Sequence, residues 1–312
     1  MSTVVEVKNL IKRYKELVAV DNFGFSIEEG EVFGLLGPNG SGKSTTINCL
    51  LSIMKYDNGS IKIFGEEMGP SRRDIKRRIG VVSQNVAVME DLNVYDNVDF
   101  FCGLYIKDKE KRKEYVEEAI EFVGLEEYKK FRPAKLSGGL LRRLNIACGI
   151  AHKPELIIMD EPTVAVDPQS RNKILEGILE LNKKGSTIIY TSHYMEEVEQ
   201  ICSRILIMDK GKKIAVGTKD ELKRGINNTE TITVNVKNIA DKVISDIESI
   251  HHVYKVKYDG ETLKIMCNGG KHNISHVVEY FADNNIGYEG IYSELPTLND
   301  VFLEITGKEL RD

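Results

Sequence analysis

The sequence has no tryptophan, only seven prolines and only five cysteines among its 312 residues. Cys49, Cys102, Cys148, Cys202 and Cys267 form an odd, scattered set without a C-x-x-C pair, so no disulfide framework is expected and the thiols read as small reduced hydrophobes. Metal-ligand spacing is equally scarce. Cys267, His272 and His276, with His251 and His252 upstream, lack the tight paired spacing of a zinc site and read as solvated histidines. No apolar run approaches the roughly 18 residues that span a bilayer, and residues 1–8 lack the apolar core of a signal peptide, so the expected location is the cytosol. Basic residues are not in excess either: 43 lysines and arginines against 48 acids leave a net charge of −5, which offers nothing to nucleic acid. The rest is ordinary, 41% hydrophobic and 29% charged, and long enough for two domains.

What the chain does have is a phosphate cradle. The stretch Gly37-Pro38-Asn39-Gly40-Ser41-Gly42-Lys43-Ser44-Thr45 lies between the apolar run Val32–Leu36 and a helix-like segment. Three glycines let the backbone curl with its N–H groups inward, and the following helix adds the positive end of its dipole. Lys43 can then reach the β and γ phosphates and the Ser44 hydroxyl can bind Mg²⁺, as the full G-x-x-x-x-G-K-S spacing requires.

Residues 3–8 alternate as a strand, and Leu17 to Ile27 reads as a further strand pair. Tyr14 between them either stacks on a purine or is an exposed aromatic beside a strand end. Asp57-Asn58-Gly59 reads as a turn, Ser60 to Gly65 as a strand, and Arg72, Arg73, Lys76, Arg77 and Arg78 as a basic cluster that is either a solvated face or one near anionic lipid. Ile79 to Ser83 is a buried strand with Gln84 at its end, and residues 86–148 read as an inserted helical lobe. Within it Ser137 caps a helix behind Leu136, and Gly138 and Gly139 open that helix. Leu156–Met159 is a fully buried strand ending in Asp160 and Glu161, where open parallel sheets hold their ligands. Asp160 is placed to hold Mg²⁺ and Glu161 to accept a proton from attacking water. Asp167-Pro168 starts the next helix, and the buried strand Ser186–Ser192 ends in His193, a structural or a catalytic residue.

Past a hairpin at Lys210-Gly211, the polar residues 221–228 read as a linker between a domain at 1–220 and a second at 229–312. The second follows the order β-α-β-β-α-β, which suggests a ferredoxin-like fold. The fold class is therefore an α/β P-loop NTPase core with an inserted helical lobe, followed by a small C-terminal α+β domain.

With these motifs in order over residues 1 to about 220, the sequence resembles the ATP-binding subunits of ABC transporters. Gly37–Thr45 resembles the Walker A loop, Leu156–Asp160 the Walker B strand, Glu161 the catalytic glutamate and Gln84 the Q-loop, a second residue at the metal. Leu136–Gly139 resembles the signature, Asp167 the D-loop aspartate, His193 the switch histidine and Tyr14 the adenine-stacking aromatic. Two positions depart: Leu140 follows the signature where glutamine is usual, and Ala165-Val166-Asp167 stands for Gly-Leu-Asp, which implies slower or differently coupled hydrolysis. The tail around Pro296–Glu304 is similar to accessory domains of bacterial subunits that serve separate export-type permeases for drugs, lipids or polysaccharides. The resemblance implies ATP and Mg²⁺ as ligands. It also implies an integral membrane permease as partner, a second ATP-binding subunit in a homodimer or heterodimer, and a peripheral place on the inner membrane face. A soluble ABC-type ATPase acting on ribosomes or DNA is the alternative, although such chains usually carry two cassettes or a long coiled coil.

Overall fold

The computed structural model describes residues 2–164, 166–226, 230–270 and 272–306. The chain divides into two compact units after Val216.

In the first unit, β1 (Thr3–Tyr14) and β2 (Leu17–Glu28) pair antiparallel. β1 runs past residue 8 because Asn9, at φ 48°, makes a bulge between Val7 and Leu10 that restores the inward phase. β3 (Val32–Leu36) is buried at all five residues and leads into α1 (Lys43–Leu50). The expected turn at Asp57–Gly59 is largely drawn into β4 (Asn58–Ile63), where Gly59 at φ 107° presses on Lys8; a Cβ there would meet the Lys8 carbonyl oxygen at 2.6 Å. β5 (Glu66–Glu67) and α2 (Arg73–Lys76) follow. Two members of the basic cluster face acids of their own chain: Arg72 pairs with Glu66 and Asp74, and Arg78 with Glu155 at 2.6 Å.

After β6 (Ile79–Val82) come the helices of the lobe, α3 (Val94–Gly103), α4 (Lys109–Phe122) and α5 (Gly138–Ile150), capped by Asn93, Asp108 and Ser137. The chain then alternates β7 (Leu156–Asp160), α6 (Pro168–Lys183), β8 (Thr187–Ser192), α7 (Met195–Ile201) and β9 (Arg204–Asp209). Lys210 and Gly211, both at positive φ, turn it back into β10 (Lys212–Gly217). The larger sheet has the order β10-β9-β3-β8-β7-β6, and the smaller β2-β1-β4-β5. Four consecutive strands, β3, β8, β7 and β6, are parallel, so their carboxyl ends lie side by side. A core that includes Phe23, Leu35, Leu50, Ile61 and Ile158 packs beneath them.

The second unit opens with a correction. Where the polar composition suggested a linker, α8 (Lys219–Arg224) forms, because Thr218 and Glu221 close a reciprocal capping box that satisfies its first N–H groups. Residues 227–229 of that stretch lie outside the described ones. Then come β11 (Glu230–Asn235), α9 (Asp241–Glu248), β12 (Val253–Tyr258), β13 (Thr262–Cys267), α10 (Asn273–Asp283) and β14 (Gly290–Glu294). The strands lie in the order β12-β13-β11-β14 with every neighbour antiparallel. One face is apolar, with Ile232, Val234, Leu263, Ile265 and Phe281 in its core. A last helix, α11 (Leu298–Thr306), buries Leu298, Val301 and Phe302, a helical spacing that the sequence reading passed over.

One buried titratable group just after α5 has a consequence for stability. His152 stacks on Tyr105 at 3.9 Å and holds the Ile79 carbonyl oxygen at 3.1 Å, so Nε2 carries the proton, while the buried Nδ1 has no partner. Burial pushes its pKa below the ordinary 6.5. The unfolded chain therefore binds the proton first: the contribution of neutral His152 is complete above about pH 6.5 and is lost as pH falls toward the depressed folded value. Thermal unfolding measured from pH 7.5 to 5 is expected to show a shallower loss in His152→Gln than in the parent. Superimposable slopes would rule out His152 as a source of acid lability.

Candidate active site

The parallel strand order decides which side chains meet. The P-loop leaves the end of β3, His193 follows β8, Asp160 ends β7 with Glu161 directly after it, and Gln84 follows β6 by two residues. Glycine at 37 and 42 is a steric requirement. A Cβ on Gly37 would lie 2.2 Å from the Met208 carbonyl oxygen, and one on Gly42, at φ 108°, 2.6 Å from that of Ala19. Gly40 turns at φ 79° in open space, with Pro38 half-buried and Asn39 exposed beside it. Ser41 is buried and its hydroxyl has no partner, while Ser44 and Thr45 stand half-buried in the first turn of α1. An orphaned buried hydroxyl, a helix N-terminus and a lysine around one hollow fit an oxyanion such as a nucleotide phosphate.

Lys43, 4% exposed, donates to the carbonyls of Gly37 at 2.7 Å and Pro38 at 3.2 Å, and its ammonium lies 3.2 Å from Glu161 Oε1. The other carboxylate oxygen, Oε2, accepts from Gln84 Nε2 at 3.2 Å. His193 Nδ1 stands 3.3 Å from that same oxygen but is not aligned for a hydrogen bond. Glu161 thus touches three of the predicted residues at once. Its backbone is held at φ 47°, a left-handed conformation that costs a glutamate about 1–3 kcal/mol and persists only when its surroundings impose it. Thr191 supplies part of that constraint. The Glu161 N–H donates to Thr191 Oγ1 at 3.0 Å, and Thr191 Oγ1 donates on to Asp160 Oδ1 at 2.6 Å, which fixes both acids from the neighbouring strand. Thr191 had no sequence signal of its own; it became visible only through the pairing of β7 with β8.

The remaining predicted residues group elsewhere. Ser137 accepts the Leu140 N–H at 3.3 Å as an N-cap, with Gly138 exposed next to it. Gly139 approaches α6 so closely that a Cβ there would lie 2.7 Å from Ser170 Oγ and 3.1 Å from Asp167 Oδ2. Asp167 caps α6 through the Ser170 N–H at 2.9 Å, a bond that holds its carboxyl below the usual range. Ala165 lies outside the described residues. Tyr14 joins neither group: its ring is 42% exposed and its hydroxyl donates to Met54 Sδ at 2.7 Å.

Comparison with known proteins identifies the family. Residues 20–164 match the ABC transporter family. The chain is 39% identical over 311 residues to the linearmycin resistance ATP-binding protein of Bacillus subtilis, covering 99% of this chain and all of that one. It is 33% identical over 317 residues to Nod factor export ATP-binding protein I of Cupriavidus metallidurans, the full length of both. Among solved structures it is similar to an ATP-binding subunit of an ABC transporter, at a TM-score of 0.66 and 26% identity over 71% of this chain and 92% of that one. It is also similar to an ATP-binding cassette solved as a dimer in a post-hydrolysis state with ADP and phosphate, at a TM-score of 0.63 and 28% identity over 69% and 98%. The fold is that of an ABC ATPase cassette, and the chain belongs to the ABC transporter family as one of its ATP-hydrolysing, ATP-binding proteins.

Proposed function

We propose that this protein binds MgATP at the β3–α1 hollow and uses its hydrolysis to drive a separate integral membrane permease that exports a drug, lipid or polysaccharide. The observation that carries the site reading is Glu161, which contacts Lys43, Gln84 and His193 from the end of β7. Gly37–Thr45 wrap the phosphates, Lys43 neutralises them, and Ser44, Asp160 and Gln84 are the residues that would hold Mg²⁺. When bound, the metal supplies charge neutralisation at the phosphates. Glu161 accepts a proton from water, and His193, on its far oxygen, orients it. Tyr14, half-exposed, stacks on the purine.

Ser137, Gly138 and Gly139 sit with Asp167 and close over the nucleotide of a second ATP-binding subunit. One chain carries both halves, so a homodimer has two complete sites, and a heterodimer with a related subunit stays an alternative. Leu140 for glutamine removes an amide beside Ser137 and slows turnover. The strand order β12-β13-β11-β14 with helices on one face supports a ferredoxin-like second domain. Export follows the relatives whose names are linearmycin resistance and Nod factor export. A peripheral position on the inner membrane face follows from the permease partner, because no described helix is long and apolar enough to cross a membrane. Met89, Phe100 and Leu104, each more than 40% exposed, offer that permease apolar side chains on the helical lobe, where Asn97 holds the Met89 backbone. Affinity purification of the tagged protein from solubilised membranes is expected to recover an integral membrane partner. Recovery of ribosomes or nucleic acid in its place would favour the soluble alternative.

A further inference from the structure

Behind the site lies a buried carboxylate that none of the motifs includes. Glu197, in the first turn of α7, is 2% exposed. Its Oε2 accepts three hydroxyl groups: Thr163 Oγ1 at 2.8 Å, Tyr190 OH at 2.8 Å and Ser192 Oγ at 3.0 Å. Arg171 Nε stands 3.3 Å from Oε1, yet neither atom has an aligned hydrogen bond. The same guanidinium lies 4.8 Å from the centre of the Tyr194 ring. Full burial of a charge is costly unless its lone pairs are filled, and here one oxygen takes three donors from two different segments.

What those donors flank is the point. Thr163 lies two residues beyond Glu161, in the turn where Val166 N–H donates to the Thr163 carbonyl and Val164 N–H to that of Glu161. Ser192 is adjacent to His193, and its Oγ also accepts the Tyr194 N–H at 2.9 Å on the histidine's other side. Arg171 lies four residues past Asp167, in the first turn of α6. We propose that Glu197 is a positioning residue for ATP hydrolysis, a single anionic post that sets the distance between Glu161 and His193 by tying the turn after β7 to the end of β8. At 2% exposure it acts through these hydroxyls and not on the nucleotide directly. Burial and the neighbouring Glu197 charge keep the Tyr190 proton in place, so that hydroxyl stays a donor to the post. An amide that keeps its oxygen toward the three hydroxyls must place its NH₂ at the Oε1 position, beside the Arg171 guanidinium, so glutamine loses the charge and sets donor against cation.

This rests on the roles proposed for Glu161 and His193, and the test separates the two. In Glu197→Gln, kcat for ATP is expected to fall about 10- to 100-fold, the cost of misplacing reacting groups by an ångström or less. KM and the calorimetric Kd for MgATP are expected to stay within about twofold, because the P-loop is not tied to Glu197. Thr163→Val and Ser192→Ala, one on each side of the post, are each expected to lower kcat, and their double variant to lose less than the product of the two. These two carry the test if Glu197→Gln does not fold. Parental kcat in folded Glu197→Gln, equal losses of kcat and affinity, or multiplicative effects in the double variant would each overturn the proposal. Glu161→Gln serves as the control. If it hydrolyses ATP normally the site reading has failed; if it is inactive while Glu197→Gln is normal, only the positioning role has.

Discussion

Glu161→Gln is expected to bind MgATP and to lose about 10²- to 10⁴-fold in turnover, the usual loss when a general base is removed. The amide keeps the shape of the side chain at the end of β7 and can still meet Gln84, but it cannot accept a proton from water at neutral pH. Affinity should not fall with it. Glu161 Oε1 stands 3.2 Å from the Lys43 ammonium, so the carboxylate competes with phosphate for that cation. Removing its charge frees Lys43, and the Kd for MgATP should be equal to the parental value or lower. In the arrangement proposed above each nucleotide would bridge two subunits and tie dimer stability to occupancy, so a trapped, ATP-loaded form should also hold two subunits together. Single-turnover kinetics, calorimetry and sedimentation with and without MgATP measure the three effects. Turnover near the parental rate would remove Glu161 from the role of base, and an unchanged oligomer would remove the shared-nucleotide dimer.

The parts of this site that were legible in the sequence are those whose requirement is local. Gly37 and Gly42 are demanded by backbone approaches of 2.2 and 2.6 Å, and no other residue type satisfies them, so the loop carries its own signature. Asp160, Glu161 and His193 were legible because a wholly apolar run that ends in a polar residue marks the carboxyl end of a buried strand. Thr191 and Glu197 were not, since their work depends on which strand lies beside which. Glu197 sits in the acidic run Glu196-Glu197-Glu199, which reads as a solvated face until its burial is known. In the second unit the failure had the opposite cause: α8 has the polar composition of a linker, and the capping box Thr218/Glu221 outweighs it. β1 was read too short because the Asn9 bulge breaks the two-residue alternation before restoring it.

Lys43→Ala is expected to act twice, on binding and on folding. Its ammonium is buried and held by two carbonyls and a carboxylate, so the contacts it gives phosphate are charge-assisted and made away from water. Hydrogen bonds to charged groups contribute about 1.5–3 kcal/mol, which is about 10- to 100-fold in Kd. The second effect comes from what is left behind. Glu161, 4% exposed, keeps Gln84 and His193 nearby but loses its lysine, and stripping one partner from a buried ion pair typically costs about 3–5 kcal/mol. The variant should therefore melt well below the parent even without nucleotide. Adding Glu161→Gln removes the stranded charge while leaving the same missing lysine side chain, so the double variant should regain much of the stability and none of the affinity. Thermal melts and calorimetry on the two single variants and the double one separate the effects. Equal melting of Lys43→Ala and the double variant would show that the Lys43–Glu161 pair does not stabilise the fold, and unchanged MgATP affinity in Lys43→Ala would show that the phosphates do not sit against this lysine.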